Sequence, residues 1–493
     1  MSRNRIILVT AGIMVSLFLA SMESTVVATA MPTIVSDLGG LEHYAWVFSA
    51  YMLTSTTTVP LYGKLSDLYG RRNLYIFAMA IFLIGSILCG RAGTMTELIL
   101  ARGLQGIGAG GIMPLAFIMI GEMFTLEQRA KMQGLFSGVW GVSSIAGPLL
   151  GGLLVDQFSW RWVFYINVPF GLLAAGLVGF AWRDQIRVHG RPVVDYAGAA
   201  LLTGSVVSLL LGLTVPPGTS TSWMLIATAV ILFALLLWVE YRAADPILPL
   251  HLFRGRLFSI AVTQGLLTGW ALFGSISFIP LFVQSVLGTS ATQAGITISP
   301  MLLGWVGASI IGTRLLLRVG YRPLAILGTA TLVVGAFLMT TVHANISQTQ
   351  LMVYVTLMGI GMGLSVPSFL IAVQTTVERR HLGTATSTMQ FSRSIGGTLG
   401  VSVMGAALSA SLAANLSASG LSLDLISQLL DPLPGAQATI NAAARNAVAN
   451  AINLVFVIAF VAAFLALVVT LFSPRQQLQD QRLEEEVVAA SMD

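Results

Sequence analysis

The sequence predicts an all-α polytopic membrane protein: two six-helix bundles plus two inserted helices, fourteen transmembrane helices in all. Composition is the first observation behind this. The chain is 56% hydrophobic and only 9% charged, whereas soluble domains carry about a quarter charged residues. The second is length: apolar runs of about 20 residues, enough to cross the hydrocarbon of a bilayer, recur down the whole chain. The third is self-similarity between the two halves.

In chain order, six spans fall near residues 6–31, 45–63, 74–90, 98–121, 132–155 and 162–182. Two more, near 196–215 and 223–240, are the inserted pair. The last six lie near 257–287, 293–317, 321–342, 350–376, 385–410 and 449–473. The domains implied are a bundle over 1–190, inserted helices and linkers over 191–256, and a second bundle over 257–474. An outer segment at 411–448, rich in Ala, Ser and Leu, is expected to be partly helical, and residues 475–493 form a tail. The first apolar run is too long for a cleavable secretion signal and lacks a small-residue cleavage site.

An even number of spans puts both termini on one side. With the N-terminus inside, 20 of the 25 basic residues fall in inner segments and 3 (Arg91, Arg161, Arg445) in outer ones. This asymmetry predicts cytoplasmic termini in a plasma (inner) membrane. It also makes the net charge of +5 a topology device and excludes nucleic acid as a partner. One cysteine, Cys89, allows no internal disulfide and sits in an apolar run. No Cys/His cluster has metal-ligand spacing and no Walker-type GxxxxGK[ST] occurs, so no cofactor, metal or direct ATP drive is expected.

Gly106 to Pro114 reads GIGAGGIMP and Gly359 to Pro367 reads GIGMGLSVP, an offset of 253 residues. AMPTIVSDLG around Pro32 resembles FIPLFVQSVLG around Pro280 at an offset of 248. The matching spans are the fourth and twelfth and the first and ninth, so two helices are inserted between repeated halves of six. Repeated halves joined in the membrane are the build of secondary transporters, with the substrate site at the repeat interface.

Between the second and third spans stands GKLSDLYGRRNL, read as a tight turn with Gly63 and Gly70 for close backbone approach, Asp67, and the pair Arg71 and Arg72. Asp67 has the chemistry to bond orphan helix-end amides or Arg129 in the neighbouring loop. The fourth span holds LARGLQGIGAG with Arg102, and the fifth holds GVWGVSSIAGPLLGG. In the latter, Gly138, Gly147, Gly151 and Gly152 suit close helix packing and Pro148 favours a bend. The sixth opens with WRWVFYINVP, and the first contains SMESTVVATAMP.

These motifs resemble the major facilitator superfamily, in particular its fourteen-span drug:proton antiporter branch typified by the EmrB and QacA proteins. Gly63–Leu74 matches the superfamily loop signature GxLaDrxGrr, Arg102–Gly110 matches RxxqGxgaa, and Gly138–Gly152 matches the antiporter signature gxxxGPxxGG. Glu23 stands where that branch usually has Asp, and Thr29 where it usually has Asn. The resemblance implies the major facilitator fold and makes the Gly63–Arg72 segment, with Arg129, a conformational switch loop.

Glu23 is the one acidic residue well inside a span, about eight residues below Met31 or roughly 12 Å deep. Arg102 lies at comparable depth on the fourth span. An ionisable residue at membrane depth is a functional hypothesis by default, so Glu23 and Arg102 are the candidates for proton coupling. A structural hydrogen bond between helices is the alternative for each. Arg393 is expected to snorkel or pack. Shifting 23 by 248 gives Ala271, shifting 102 by 253 gives Val355, and shifting 67 by 250 gives Leu317, so the second half carries none of these charges. Trp140, Gln264, Trp270, Gln390 and Glu23 are cavity candidates, with Gln374 and Trp305 beside them; helix packing is the plainer reading of the neutral ones.

The expected function is a monomeric, non-enzymatic, proton-coupled exporter of a small lipophilic substrate, cationic or not, embedded among membrane lipids. A dedicated exporter of one metabolite or lipid and a non-transporting receptor are the alternatives. No HExxH, GxSxG or paired carboxylates lie at membrane depth to support an enzyme.

Overall fold

The computed structural model describes residues 2–39, 44–183, 195–215, 219–243, 246–248, 250–289, 291–418 and 442–475. Helices α1 (Arg3–Leu38), α2 (Tyr44–Tyr69), α3 (Arg71–Arg91), α4 (Met95–Met123) and α5 (Leu126–Gln157) come first. The sixth span is split into α6 (Trp162–Tyr165) and α7 (Asn167–Ala181), and α8 (Tyr196–Thr214) and α9 (Ser220–Arg242) follow. The remainder is α10 (Arg256–Ser285), α11 (Ala291–Val319), α12 (Tyr321–Met339), α13 (Gln348–Thr376), α14 (Leu382–Ala418) and α15 (Ala442–Leu471).

Twelve stretches among the described residues are long and apolar enough to cross a membrane. Helices α2 and α5 complete the fourteen expected positions. Polar residues inside α2 are accommodated by back-bonding: Thr54, Thr57 and Thr58 donate their hydroxyls to carbonyls one turn earlier. No bilayer water is needed to satisfy them.

The structure corrects several boundaries. Helix α2 runs on to Tyr69 and α3 starts at Arg71, so most of the expected 63–74 turn is helical and the break is Gly70 alone. Lys64 and Arg71 are buried there, which lets the helix continue where a hydropathy window stops. At the outer segment, residues 411–418 continue α14 and 442–448 open α15. Residues 419–441, the tail from 476 and the linker 184–194 lie outside the described residues.

The chain divides into two compact units. Unit 1 comprises residues 1–255 with 373–391, and unit 2 residues 256–372 with 392–493. In unit 1, α4 packs along α2 and α3, and α1 packs along α5 and α7. Helices α8 and α9 pack chiefly on each other, with α8 touching α2. Only 17% of the α9 span is buried, which marks it as peripheral within this unit. In unit 2, α10 and α12 pack along α15.

The internal repeat is visible as repeated packing. Gly106 and Gly110 bring α4 against the backbone of Tyr51 and Ser55 on α2, while Gly108 lies against Ala78 and Phe82 on α3. Gly359 and Gly363 likewise bring α13 against Met301 and Trp305 on α11, while Gly361 meets Gly328 and Leu332 on α12. Any Cβ at these positions would collide with backbone atoms. Gly70 and Gly320 precede α3 and α12 with φ of 87° and 78°, a region that suits glycine.

Substituting Gly108 by Leu should therefore overpack the α3–α4 contact and cost roughly 1–3 kcal/mol or more. Gly307→Ala, where no atom lies within 4 Å of the new Cβ, should be near neutral. Thermal unfolding of the detergent-purified variants checks both; equal melting temperatures would refute the packing argument.

Candidate functional site

Glu23 sits in mid-α1, 2% exposed, and Arg102 near the start of α4, 1% exposed. The structure brings them together: Arg102 Nη1 lies 2.6 Å from Glu23 Oε1. Arg102 Nη1 also donates to Gln105 Oε1 at 2.6 Å, and its Nε donates to the Val47 carbonyl at 3.3 Å. The guanidinium carbon stands 4.2 Å from the centre of the Tyr51 ring. Taking two charges out of water costs several kcal/mol per ion unless partners replace the hydration, and here four helices supply them. The second carboxylate oxygen, Oε2, accepts from Asn167 Nδ2 at 2.8 Å. Ser86 Oγ accepts from Asn167 Nδ2 at 3.1 Å and from Gln105 Nε2 at 2.7 Å. Glu23, Ser86, Arg102, Gln105 and Asn167 form one hydrogen-bonded cluster, with contributions from α1, α3, α4 and α7.

The glycines of the fifth span serve this cluster from behind. Gly147 receives Thr25 and Gly151 receives Thr29, the two threonines that follow Glu23 on α1. Each threonine turns its hydroxyl back to its own helix, Thr25 to Met22 O at 2.8 Å and Thr29 to Val26 O at 2.7 Å. Gly138 and Gly152 face open space in this structure. Helix α5 passes through Pro148 without interruption, but the Pro148 ring lies outside the described side chains. At the far end of α1, Asp37 accepts from Trp160 Nε1 and Arg161 Nη1, each at 2.9 Å. Those two hydrogen bonds hold its carboxyl below the usual range.

The second cluster lies at the α2–α3 break. Asp67 Oδ1 accepts from Gly383 N at 3.1 Å, and Oδ2 accepts from Thr384 N and Thr384 Oγ1, both at 2.8 Å. These are free amides in the first turn of α14, so Asp67 caps that helix in trans. The preceding residue, His381, is not a capping type. Arg71 Nη2 pairs with Asp67 Oδ1 at 2.6 Å and with Glu122 Oε1 at 2.9 Å, while Nη1 donates to Ser66 Oγ at 3.1 Å. Gly63 allows this approach, since it lies against Ser387 and Gly383. Arg129 Nε donates to Phe124 O at 2.9 Å and Nη1 to Gln374 O at 3.4 Å. Arg72 is an exposed position on the first turn of α3.

The cavity candidates fall into two groups. In unit 1, Trp140 is 41% exposed on α5. Gln390 Nε2 donates to Met113 Sδ at 3.3 Å, and Gln374 Nε2 donates to Phe117 O at 3.3 Å and Thr386 Oγ1 at 3.2 Å. The two glutamines thus bridge helices of unit 1. In unit 2, Gln264 is buried and Trp270 half-buried on α10, and neither Gln264 Nε2 nor Trp270 Nε1 has a partner. Trp305 packs on the apolar core of the same unit.

Sequence reasoning missed Ser86, Asn167, Gly383 and Thr384. Their signal was faint: Asn167 is the one polar side chain in the tract YINVPF apart from the tyrosine, and neutral polar residues in spans are common. The repeat positions of the buried cluster are apolar. Ala271, Ala336, Val355 and Met358 correspond to Glu23, Ser86, Arg102 and Gln105, and all four belong to the buried core of unit 2.

The profile of the Major Facilitator Superfamily matches residues 13–401. The chain is 42% identical over 412 residues to Multidrug transporter protein MdtP of Bacillus subtilis, covering 82% of this chain and 75% of that protein. It is 38% identical over 404 residues to Multidrug resistance protein 3 of the same organism, covering 80% and 78%. Among solved structures, the proton:xylose symporter XylE superposes with a TM-score of 0.62 at 14% identity, covering 96% of this chain and 97% of that one. The human organic anion transporter MFSD10 gives 0.62 at 13% identity, covering 94% and 100%. With the family profile spanning most of its length and relatives of this similarity, the chain is a multi-pass membrane protein of the major facilitator superfamily.

Proposed function

We propose that this protein is a proton-coupled exporter of small lipophilic compounds, working by alternating access in the plasma membrane as a monomer with cytoplasmic termini. The observation that carries the reading is the Glu23 carboxylate, 2% exposed and held by Arg102 and Asn167. The names of the two Bacillus subtilis relatives, a multidrug transporter and a multidrug resistance protein, support drugs as the substrate class. Glu23 is the group that takes the proton. Ionised, it is bound to Arg102; protonated, it loses that attraction, and Arg102 retains Gln105, Val47 and Tyr51. The two protonation states therefore differ in what holds α1 to α4, and a ligand or proton shifts a conformational equilibrium only through such a difference. The Asp67 cap on α14 is the second element, a contact that opens and recloses in each cycle. Trp140, Gln264, Trp270 and Gln390 are proposed to meet substrate.

Glu23→Gln should abolish proton-driven export while leaving uncharged compounds able to bind, and Glu23→Asp should retain part of the activity. The measurement is dye efflux in inverted membrane vesicles with an imposed pH gradient, run on a compound panel. Uphill export by Glu23→Gln at the parent rate would move the proton elsewhere. Export of a single compound from the panel would favour a dedicated exporter.

Asp67→Asn keeps the shape of the cap but removes its charge. Hydrogen bonds to charged groups are worth about 1.5–3 kcal/mol, so a tenfold or greater fall in export rate is expected with substrate binding nearly unchanged. Equal export rates for parent and variant would reduce the cap to scaffolding.

A further inference from the structure

Asn167 closes the Glu23 cluster on the side away from Arg102, and one of its own atoms is left over. It is completely buried as the first residue of α7, just past the break that separates it from α6. Its Nδ2 donates to Glu23 Oε2 at 2.8 Å and to Ser86 Oγ at 3.1 Å. Its Oδ1 is buried with no hydrogen-bond partner. A buried amide that spends both donors on one side and leaves its acceptor idle is poised to be used the other way round.

We propose that the Asn167 side-chain amide is a two-position partner for Glu23, donating to the carboxylate and, after a half-turn, accepting from the carboxylic acid. The inference rests on the reading of Glu23 as the proton carrier.

Oxygen and nitrogen of an amide are close in size, so the half-turn needs no repacking. In the ionised arrangement, Ser86 Oγ accepts from both Gln105 Nε2 and Asn167 Nδ2. In the protonated arrangement, Ser86 still accepts from Gln105, and its rotatable O–H turns to Asn167 Oδ1. The acid O–H of Glu23 donates to that same oxygen. The amide keeps its place between Glu23 and Ser86, and one amide atom is left over in either position. The amide's orientation is then governed by the protonation of Glu23. A second fixed cation at this place would favour only the carboxylate, and a fixed acceptor only the acid. The amide serves both, so Glu23 keeps a hydrogen-bonded partner whether its proton is bound or released. The titratable or charged groups facing Glu23 are Arg102 on α4, Tyr51 on α2 and Cys89 on α3. Helix α7 carries no ionisable residue, and the acidic and basic residues of α5 lie near its two ends, away from Gly147.

A double-mutant cycle on the full-length, detergent-purified protein tests this, with Glu23→Gln standing in for the neutral acid. Asn167→Leu should lower the melting temperature in both backgrounds, and more with Glu23 present, where the lost bond is charge-assisted, than in the Glu23→Gln background. A drop confined to the Glu23 background would make Asn167 a fixed donor and overturn the proposal, as would no drop in either. If Asn167→Leu is not recovered from membranes, Asn167→Ala takes its place. Proton-driven export separates this role from simple packing. Asn167→Leu removes a charge-assisted bond from the carboxylate and a weaker neutral one from the acid. The pH of half-maximal export should move upward by roughly a few tenths to one unit. Asn167→Thr, whose hydroxyl both donates and accepts, should bring it back; an unmoved profile overturns the proposal. If Glu23→Gln itself drives uphill export, the proton-carrier reading fails. If it is inactive while Asn167→Leu leaves cycle and profile unchanged, only the amide inference fails.

Discussion

A carboxylate and a guanidinium buried beside one another at membrane depth leave a helical bundle few ways to be arranged. Removing one member of such a pair typically costs about 3–5 kcal/mol, because the other charge is stranded. Glu23 on α1 and Arg102 on α4 therefore fix where those helices meet. Helix α4 has to approach α1 while lying along α2 and α3, and Gly106, Gly108 and Gly110 remove the side chains that would keep it away. Ser86, Gln105 and Asn167 then satisfy what the ion pair leaves open. The same logic operates at the α2–α3 break, where Asp67, Arg71 and Glu122 share charges that are almost wholly enclosed.

The two units share a helical plan but not a chemistry. Gly359, Gly361 and Gly363 repeat the packing of Gly106, Gly108 and Gly110, and Gly320 repeats the turn of Gly70. Yet the positions equivalent to the buried ion pair are Ala271 and Val355, both fully enclosed in an apolar cluster. Close helix packing alone holds the second unit at these positions, and the first unit adds charge to it. The buried ion pair of the candidate site is therefore confined to one unit, while the equivalent positions of the other hold apolar side chains.

The number and order of helices were legible because bilayer thickness forces long apolar runs. Glu23 and Arg102 were legible for the related reason that ionisable residues are rare at that depth. Helix ends were less so. Hydropathy stops at Lys64 and Asp67, whereas the real helix continues to Tyr69 because those charges find partners instead of water. That Asp67 bonds helix-end amides followed from its chemistry; which helix did not, since Gly383 and Thr384 lie 316 and 317 residues further on and no spacing rule reaches so far. Asn167 was hidden for a different reason. A neutral amide in a span gives no sign of its importance until its neighbour is known to be a carboxylate.

The trans cap also constrains how the protein is made. A ribosome adds about 5–20 residues per second, so roughly 15–60 s pass between the synthesis of Asp67 and that of its partners in α14, 316 and 317 residues later. Throughout that interval a carboxylate at the membrane boundary waits without the amides it will cap. Arg71 is made four residues after it, so the nascent first half can supply Asp67 with a counter-charge by itself. Arrival of α14 then adds its amides to a carboxylate that already has a counter-charge beside it.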